Sequence, residues 1–286
     1  DKDGWSYEAS TSYHKLITEM FLYSSVLAEN SSNSFTIDYK VHLSKMIEIL
    51  SIVQKPDNTI PQIGDNDSGF SFKFNFEDSN LKTASLLSLA KKYNLNYSKT
   101  KLEVFKQYED MGYFIYKNKE LYFLITAVPK NFLGRGSHVH NDTLHYILNI
   151  KGSDVLIDPG SFVYNSNFEK RNKFRSITSH NTLSWENLEP RNLENGLFYL
   201  KEEGSFDTNK FFKKEGTVTF SGKYSFKNYY HKRVINSVAK EKKIIVVDTC
   251  STLGASLSFN FAPNIIPQIK SNVIKTDYAD FIFSGI

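Results

Sequence analysis

Apolar positions in the first part of the chain recur at helical spacing. In "SYHKLITEMFLYSSVL" the residues Tyr13, Ile17, Met20, Phe21 and Ser24 share one face at a period of 3.6. "HLSKMIEILSIV" repeats the pattern with Leu43, Met46, Ile47, Leu50 and Val53, and "LKTASLLSLAKKY" is built from good helix formers. Helices are therefore expected across residues 12–100. Between the second and third lies "PDNTIPQIGDNDSGF", so dense in Pro, Asp, Asn and Gly that it predicts a loop. Long polar loops of this kind often carry function.

From about Met111 the period changes to 2. "GYFIYKNKELYFLITAV" predicts a hairpin turning at Lys117-Asn118-Lys119, and "TLHYILNIKGSDVLIDPG" another turning at Lys151-Gly152-Ser153-Asp154. "HNTLSW", "EKKIIVVDTCS" and "ASLSFNFAP" continue in the same style. Strands at short intervals predict an antiparallel sandwich. Helices followed by strands predict an α+β chain of two domains rather than an alternating α/β sheet. The boundary falls near residues 96–108, giving a helical domain over 1–104 and a sandwich over 105–286.

Composition narrows the function little. The 286 residues are 40% hydrophobic and 23% charged, with a formal net charge of +4. That is ordinary globular composition, too weakly basic to imply nucleic acid but compatible with an acidic ligand. The single cysteine, Cys250, rules out an intrachain disulfide and a thiolate metal site. No apolar run approaches the length of about 18 residues needed to span a membrane. The chain begins without Met and stops at "DYADFIFSGI", which reads as mid-strand, so a fragment of a longer protein is expected. The missing signal peptide therefore says nothing of localisation.

The chemistry concentrates in "GRGSHVHNDTLHYILNIKGSDVLIDPGSF". In a strand, His138 and His140 point the same way. The hairpin brings Asp158 back beside them, and "RSITSHNTLSW" offers His180 at the start of another strand. Imidazoles with a carboxylate are a zinc ligand set, and three protein ligands leave room for water. On these residues alone, one catalytic metal site is the natural reading. His145 and His42 read as ordinary polar residues, and Tyr13 as an amphipathic cap over the core.

These motifs resemble the signature of the heparinase II/III-like polysaccharide lyases: a Gly-rich entry, His-x-His-x-Asp, a hairpin to Asp-Pro-Gly, then "RNKFRSITSHNTLSW". "DGWSYEASTSYHKLITEMFLYS" and "PQIGDNDSGF" resemble the helical portion that precedes it, so the likeness covers residues 1 to roughly 200. The resemblance implies an incomplete α/α toroid packed on an antiparallel β-sandwich. It implies lyase cleavage of a uronate-containing acidic polysaccharide, such as a glycosaminoglycan or alginate, by a bacterial enzyme of the periplasm or exterior. It also divides the cluster. Tyr13 and His138 match the catalytic tyrosine and histidine. His140, Asp158 and His180 match the ligands of a zinc ion with a structural role beside the active site. The family further needs an Asn or His that neutralises the substrate carboxylate, and its expected place lies before residue 1.

The reaction so implied is β-elimination. The C5 proton of a uronate is weakly acidic until the neighbouring carboxylate is neutralised, and the C4 oxygen must be protonated as it leaves. Tyr13 is the candidate acid, and His138, near its working range unaided, a candidate base. For Tyr13 itself to act as base, a cation among Arg135, Arg171 and Arg175 must favour its phenolate. His14, Arg135, Asn141, Arg175, Asp65 and Asn66 are the candidate substrate-binding residues. Asp65, Asn66 and Asp67 read equally as an Asx-rich turn, and supply too few oxygens for a calcium loop of EF type. Three rivals stay open: a uronate C5-epimerase, a zinc-dependent hydrolase, and a non-catalytic module that binds acidic glycan.

Overall fold

Ser10 sets the start of the first helix. Its side-chain oxygen accepts from the Tyr13 amide at 3.3 Å, an N-cap, and α1 runs Thr11–Asn30. The computed structural model describes residues 2–284 apart from 68, 70, 73–80, 96–102, 128–134, 208, 239–242, 252–253, 272 and 278–279. Gly134 of the Gly-rich entry, and the part of the expected boundary at 96–102, thus lie outside the described residues. The helical part continues with α2 (Ile37–Val53), capped by Thr36, and α3 (Ala84–Lys92). In α2 the expected stripe of Leu43, Ile47, Leu50 and Val53 is buried, with Met46 half-buried.

α1 departs from its expected face. Met20 and Phe21 are 55% and 43% exposed, whereas His14, Lys15, Thr18 and Glu19 are buried. The reason is what the helix packs on: its first turns meet the loop 60–67, and only from Leu22 onward does the inner face join an apolar core with Leu43, Ile47 and Leu50. Thr11 Oγ1 donates to the Pro61 carbonyl (2.6 Å) and Ser10 Oγ to that of Asp65 (2.6 Å). Lys15 pairs with Glu19, and Thr18 Oγ1 donates to the His14 carbonyl (2.7 Å). With partners supplied, polar burial costs little.

The strands begin with β1 (Val104–Tyr108), β2 (Tyr113–Lys117), β3 (Leu121–Thr126), β4 (Tyr146–Ile150) and β5 (Ser153–Leu156). They pair in that order as one antiparallel sheet, with both expected hairpins in place. The short helix α4 (Phe168–Arg175) and the two-residue β6 (Leu183–Ser184) follow. Then come β7 (Ser205–Phe206), β8 (Lys210–Lys214), β9 (Thr217–Phe226), β10 (Tyr229–Val238), β11 (Lys243–Cys250) and β12 (Ser256–Leu257). β13 (Gln268–Lys270), β14 (Val273–Lys275) and β15 (Asp280–Ser284) complete the order. The second sheet runs β13-β14-β15-β11-β10-β9-β7, with β8 also on β9. One pair breaks the antiparallel expectation: β11 and β15 are parallel, Lys243 opposite Asp280. The chain leaves the sheet after β11 to pair β12 with β6 and form the β13–β14 hairpin, which supplies the crossover a parallel pair needs.

The two sheets face each other over a core that includes Phe123, Leu148, Phe220, Ile235 and Val246. The other face of the first sheet, with Tyr113, Ile115, Tyr122 and Leu124, packs on Trp5, Ile49, Ile52 and Val53 of the helical part. Every residue of β3 is therefore buried, which explains why its sequence "LYFLIT" lacks polar alternation. Each large side chain buried this way contributes about 1.5–3 kcal/mol. The site lies where α1, the 60–67 loop and the segments flanking β4 and β5 meet.

Candidate active site

Asp65 is where these segments converge. Its amide donates to the His138 carbonyl (3.0 Å), which lays the 63–65 strip against the histidine segment. Gly64 permits the approach: with φ +72°, any Cβ there would sit 2.5 Å from the His138 carbonyl oxygen. The Asp65 carboxylate is fully buried. Oδ2 accepts from His138 Nδ1 (3.0 Å) and from Arg171, and Oδ1 accepts from His140 Nε2 (3.1 Å). Burial opposes its charge, but the hydrogen bonds from His138, His140 and Arg171 outweigh burial and hold the carboxyl well below the usual range. Residues 135–145 form no strand, yet Val139 faces the core while His138 and His140 both reach Asp65, as alternation requires.

Tyr13 lies face to face on His138, with ring centroids 4.0 Å apart and planes at 12°. Its hydroxyl donates to Asp67 Oδ2 (2.9 Å) and lies 2.8 Å from the hydroxyl of Tyr164. Burial, then the contacts with Tyr164 and Asp67, push the phenol well above its ordinary value. His138 is not the free base expected from its residue type. Its Nε2 faces Glu8 Oε2 at 3.1 Å, so both ring nitrogens point at carboxylates. Burial works against the imidazolium, but the hydrogen bonds to Asp65 and Glu8 win, and its pKa is pushed up to about 9.

His140, Asp158 and His180 form a separate buried cluster whose ligand atoms all lie within 4.8 Å of one another. The hydrogen bonds fix which lone pairs are free. His140 donates through Nε2 to Asp65, leaving Nδ1 without a partner. His180 donates through Nδ1 to Asp158 Oδ2 (3.1 Å), leaving Nε2 without one. A buried acceptor left so costs about 1–3 kcal/mol, and two beside a carboxylate suit a cation. A histidine that donates its other nitrogen to a carboxylate is the usual metal-ligand arrangement. His145 stands 3.2 Å from Asp158 Oδ2 but is no ligand. Its Nδ1 accepts from the Asn181 amide (2.8 Å), so the proton sits on Nε2, whose contact with Asp158 is close but poorly aligned for a hydrogen bond. Arg233 of β10 steadies these loops by donating to the carbonyls of Leu144 (2.9 Å) and Asn181 (2.6 Å), held in turn by Asp248.

Other expected substrate contacts lie elsewhere. His14 is buried against Trp5; Nδ1 accepts from the Ser6 amide (3.2 Å) and Nε2 meets the Met46 carbonyl (3.1 Å). Arg175 is buried and spends its donors on the Leu197 (2.8 Å), Leu193 (3.2 Å) and Gly196 (3.1 Å) carbonyls and on Asn172. Asn141 is buried and bonds both backbone groups of Arg191. Asp65, as described, is enclosed. All four are buried, with their polar groups hydrogen-bonded within the protein. Arg135 is exposed, and half-buried Asn66 is tied by its backbone to Ser161 Oγ.

Two residues at the site gave no sequence signal of their own: Glu8 and Tyr164, which touch the Tyr13–His138 pair. Asp67, expected in an Asx-rich turn, also meets Tyr13, and Arg171, expected as a cation for the Tyr13 phenolate, instead pairs with Asp65 and lies over the adjoining rings of Tyr164 (5.4 Å) and Phe198 (4.8 Å). Only the meeting of loops brings Glu8 and Tyr164 to the site.

Two family models match: "Heparinase II/III N-terminus" over residues 2–110 and "Heparinase II/III-like, C-terminal" over 100–281. Among solved structures, the heparan sulfate lyase HepC from Pedobacter heparinus aligns with a TM-score of 0.71 at 20% identity, over 97% of this chain and 44% of that one. A structure described as the heparinase III BT4657 gene product aligns with a TM-score of 0.73 at 19% identity, over 96% and 43%. Identities this low establish likeness of fold. The chain spans less than half the length of these structures. Among curated proteins, none matches it.

Proposed function

The chain belongs to the heparinase II/III-like family, and from that premise we propose that it is part of a polysaccharide lyase that cleaves a uronate-containing acidic polysaccharide by β-elimination. The observation that carries this reading is the Tyr13–His138 stack, with the Tyr13 hydroxyl turned to Asp67 and Tyr164 rather than into the core. Tyr13, kept protonated by its surroundings, donates to the departing C4 oxygen. His138 takes the C5 proton from its neutral form: its Nε2 proton first passes to Glu8 as that carboxylate gives way to the substrate, which frees the Nε2 lone pair while Nδ1 stays bonded to Asp65. The residues before β1 belong, on this reading, to the tail of an incomplete α/α toroid.

A zinc ion would be held by His140 Nδ1, His180 Nε2 and Asp158, and would supply a rigid cross-link rather than a place for substrate. The chain's own residues do the positioning: Asp65 holds His138 and His140 on one carboxylate, and Arg171 holds Asp65.

The test is the full-length protein against uronate polysaccharides, with Tyr13→Phe beside it and products weighed. Fragments with a 4,5-unsaturated end, formed by the wild type and reduced about 10²–10⁴-fold in rate by the variant, are expected for an acid–base residue. Fragments heavier by one water would overturn elimination in favour of hydrolysis. Intact chains carrying solvent deuterium at C5 would overturn it in favour of epimerisation.

A further inference from the structure

We propose that Phe162, backed by Phe174 and Lys170, is a sugar-stacking platform beside the Tyr13–His138 pair, a subsite for a pyranose of an acidic polysaccharide. The inference rests on the lyase reading and extends it from the bond broken to a neighbouring residue of the polymer.

Phe162 is 65% exposed. Its backbone is nevertheless in the left-handed region, with φ +55°. That conformation is unfavourable for a bulky L-residue and free for glycine. Among the described residues it is the one aromatic side chain held so. Neither folding nor solubility explains the combination: a strained backbone holds an apolar ring out to water. Strain of this kind collects at ligand sites.

Its surroundings fit a sugar. One face of the ring rests on Phe174, with centroids 5.1 Å apart and planes at 17°. Lys170 Nζ stands 5.8 Å from the ring centroid, near enough to meet the carboxylate or sulfate of a residue lying there. The flat apolar ring with an adjacent cation matches the two features of an acidic pyranose, its C–H face and its anion. The location fits as well. Ser161, immediately before, exchanges hydrogen bonds with the Asn66 backbone at 3.2 and 3.1 Å. Tyr164, two residues on, meets the Tyr13 hydroxyl. The platform is thus fixed to the segment that borders the reacting pair.

The decisive experiment uses Phe162→Gly and Phe162→Ala in the full-length protein. Turnover is followed by unsaturated product, and binding by retardation in gels containing heparan sulfate or alginate. Phe162→Gly relieves the backbone, so Tm should hold or rise, while KM for the polymer rises about fivefold and kcat stays within about twofold, the size of one aromatic contact. Phe162→Ala should repeat the KM effect. An unchanged KM and unchanged retardation in both variants would overturn the platform while leaving the lyase reading intact. A KM increase seen only together with a fall in Tm would mark Phe162 as a folding residue and overturn it too. Retardation lost in the variants, with no unsaturated product from the wild type, would support the platform and defeat the lyase reading. A wild type retarded by neither polymer would defeat both.

Discussion

Asp65→Asn tests the centre of the site. The carboxylate has two oxygens and three donors: His138 Nδ1 and Arg171 on Oδ2, His140 Nε2 on Oδ1. Asparagine keeps the volume, so no cavity opens. It offers one oxygen and one NH₂, so at one of the two positions a donor must face a donor. The variant also leaves the buried Arg171 cation without its anion. Breaking a buried pair from one side costs about 3–5 kcal/mol. Spread over a chain of this size, that is a Tm drop of roughly 10 °C. It is a large part of an ordinary stability of about 5–15 kcal/mol, but not all of it.

The damage should also reach the metal cluster. If the amide nitrogen faces His140, the ring must accept through Nε2, and the proton moves to Nδ1, the lone pair that would bind a cation. Loss of such a supporting partner lowers metal affinity by about 10–100-fold. If the amide faces His138 instead, the stack with Tyr13 loses its anchor. Urea unfolding reads the first effect, and zinc competition against a chelator reads the second. A variant within about 1 kcal/mol of wild type, below the cost of one unsatisfied buried group, and with zinc retention unchanged, would refute the claim that Asp65 organises both halves.

Gly64→Ala should lose stability because the new methyl meets backbone, which cannot swing aside, in a left-handed conformation that alone costs about 1–2 kcal/mol. Urea unfolding with a midpoint at or above wild type would contradict the close approach of the 63–65 strip to His138. His14 gives a pH signature. Burial, only partly offset by the Met46 carbonyl, lowers its pKa to about 4 from 6.5. Because the folded value is depressed, its contribution is present above pH 6.5 and is lost as pH falls from there to about 4, in all about 3 kcal/mol. His14→Gln should flatten the stability profile across that interval. Parallel profiles would show that His14 is solvated and free to meet substrate after all.

Much of the architecture was legible because its signals are local. The β2–β3 and β4–β5 hairpins carry their own turns, and Leu43, Ile47, Leu50 and Val53 repeat at helical spacing over an apolar core. The convergence of His140, Asp158 and His180 followed from one hairpin and its successor. What failed depends on partners far away in the chain. The buried face of α1 could not be read from periodicity, since a loop lies against its first turns and an apolar core is met only from Leu22 onward. Asp65, Asn141, His14 and Arg175 are polar residues of the kind that bind sugars, and their burial among partners from distant segments is not written in their local sequence. The parallel pairing of β11 with β15 turns on a return path that strand patterns do not encode.

The separation of the two histidines bears on the rival hydrolase. From type and spacing, His138 and His140 belong to one metal site. In three dimensions Asp65 stands between them and uses a different oxygen for each. His138 faces Tyr13, Glu8 and the exposed side of the loop 65–67, whereas His140 faces His180 and Asp158 under the 158–162 segment. A hydrolytic metal needs an open position that substrate and water can reach. His140 and His180 are fully buried and Asp158 nearly so, and Asp158 also accepts from the Gly160 amide at 2.8 Å and lies against His145. Bringing a glycosidic bond to these atoms would require the Asp158–Tyr164 segment to leave, and with it Ser161 from Asn66 and Tyr164 from Tyr13. Elimination at the Tyr13–His138 pair requires that the substrate displace Glu8 and Asp67 at the rim and that the His138 Nε2 proton leave with Glu8. The same geometry that would suit the buried cluster to a structural ion therefore supports the proposed assignment of the chemistry to its neighbour.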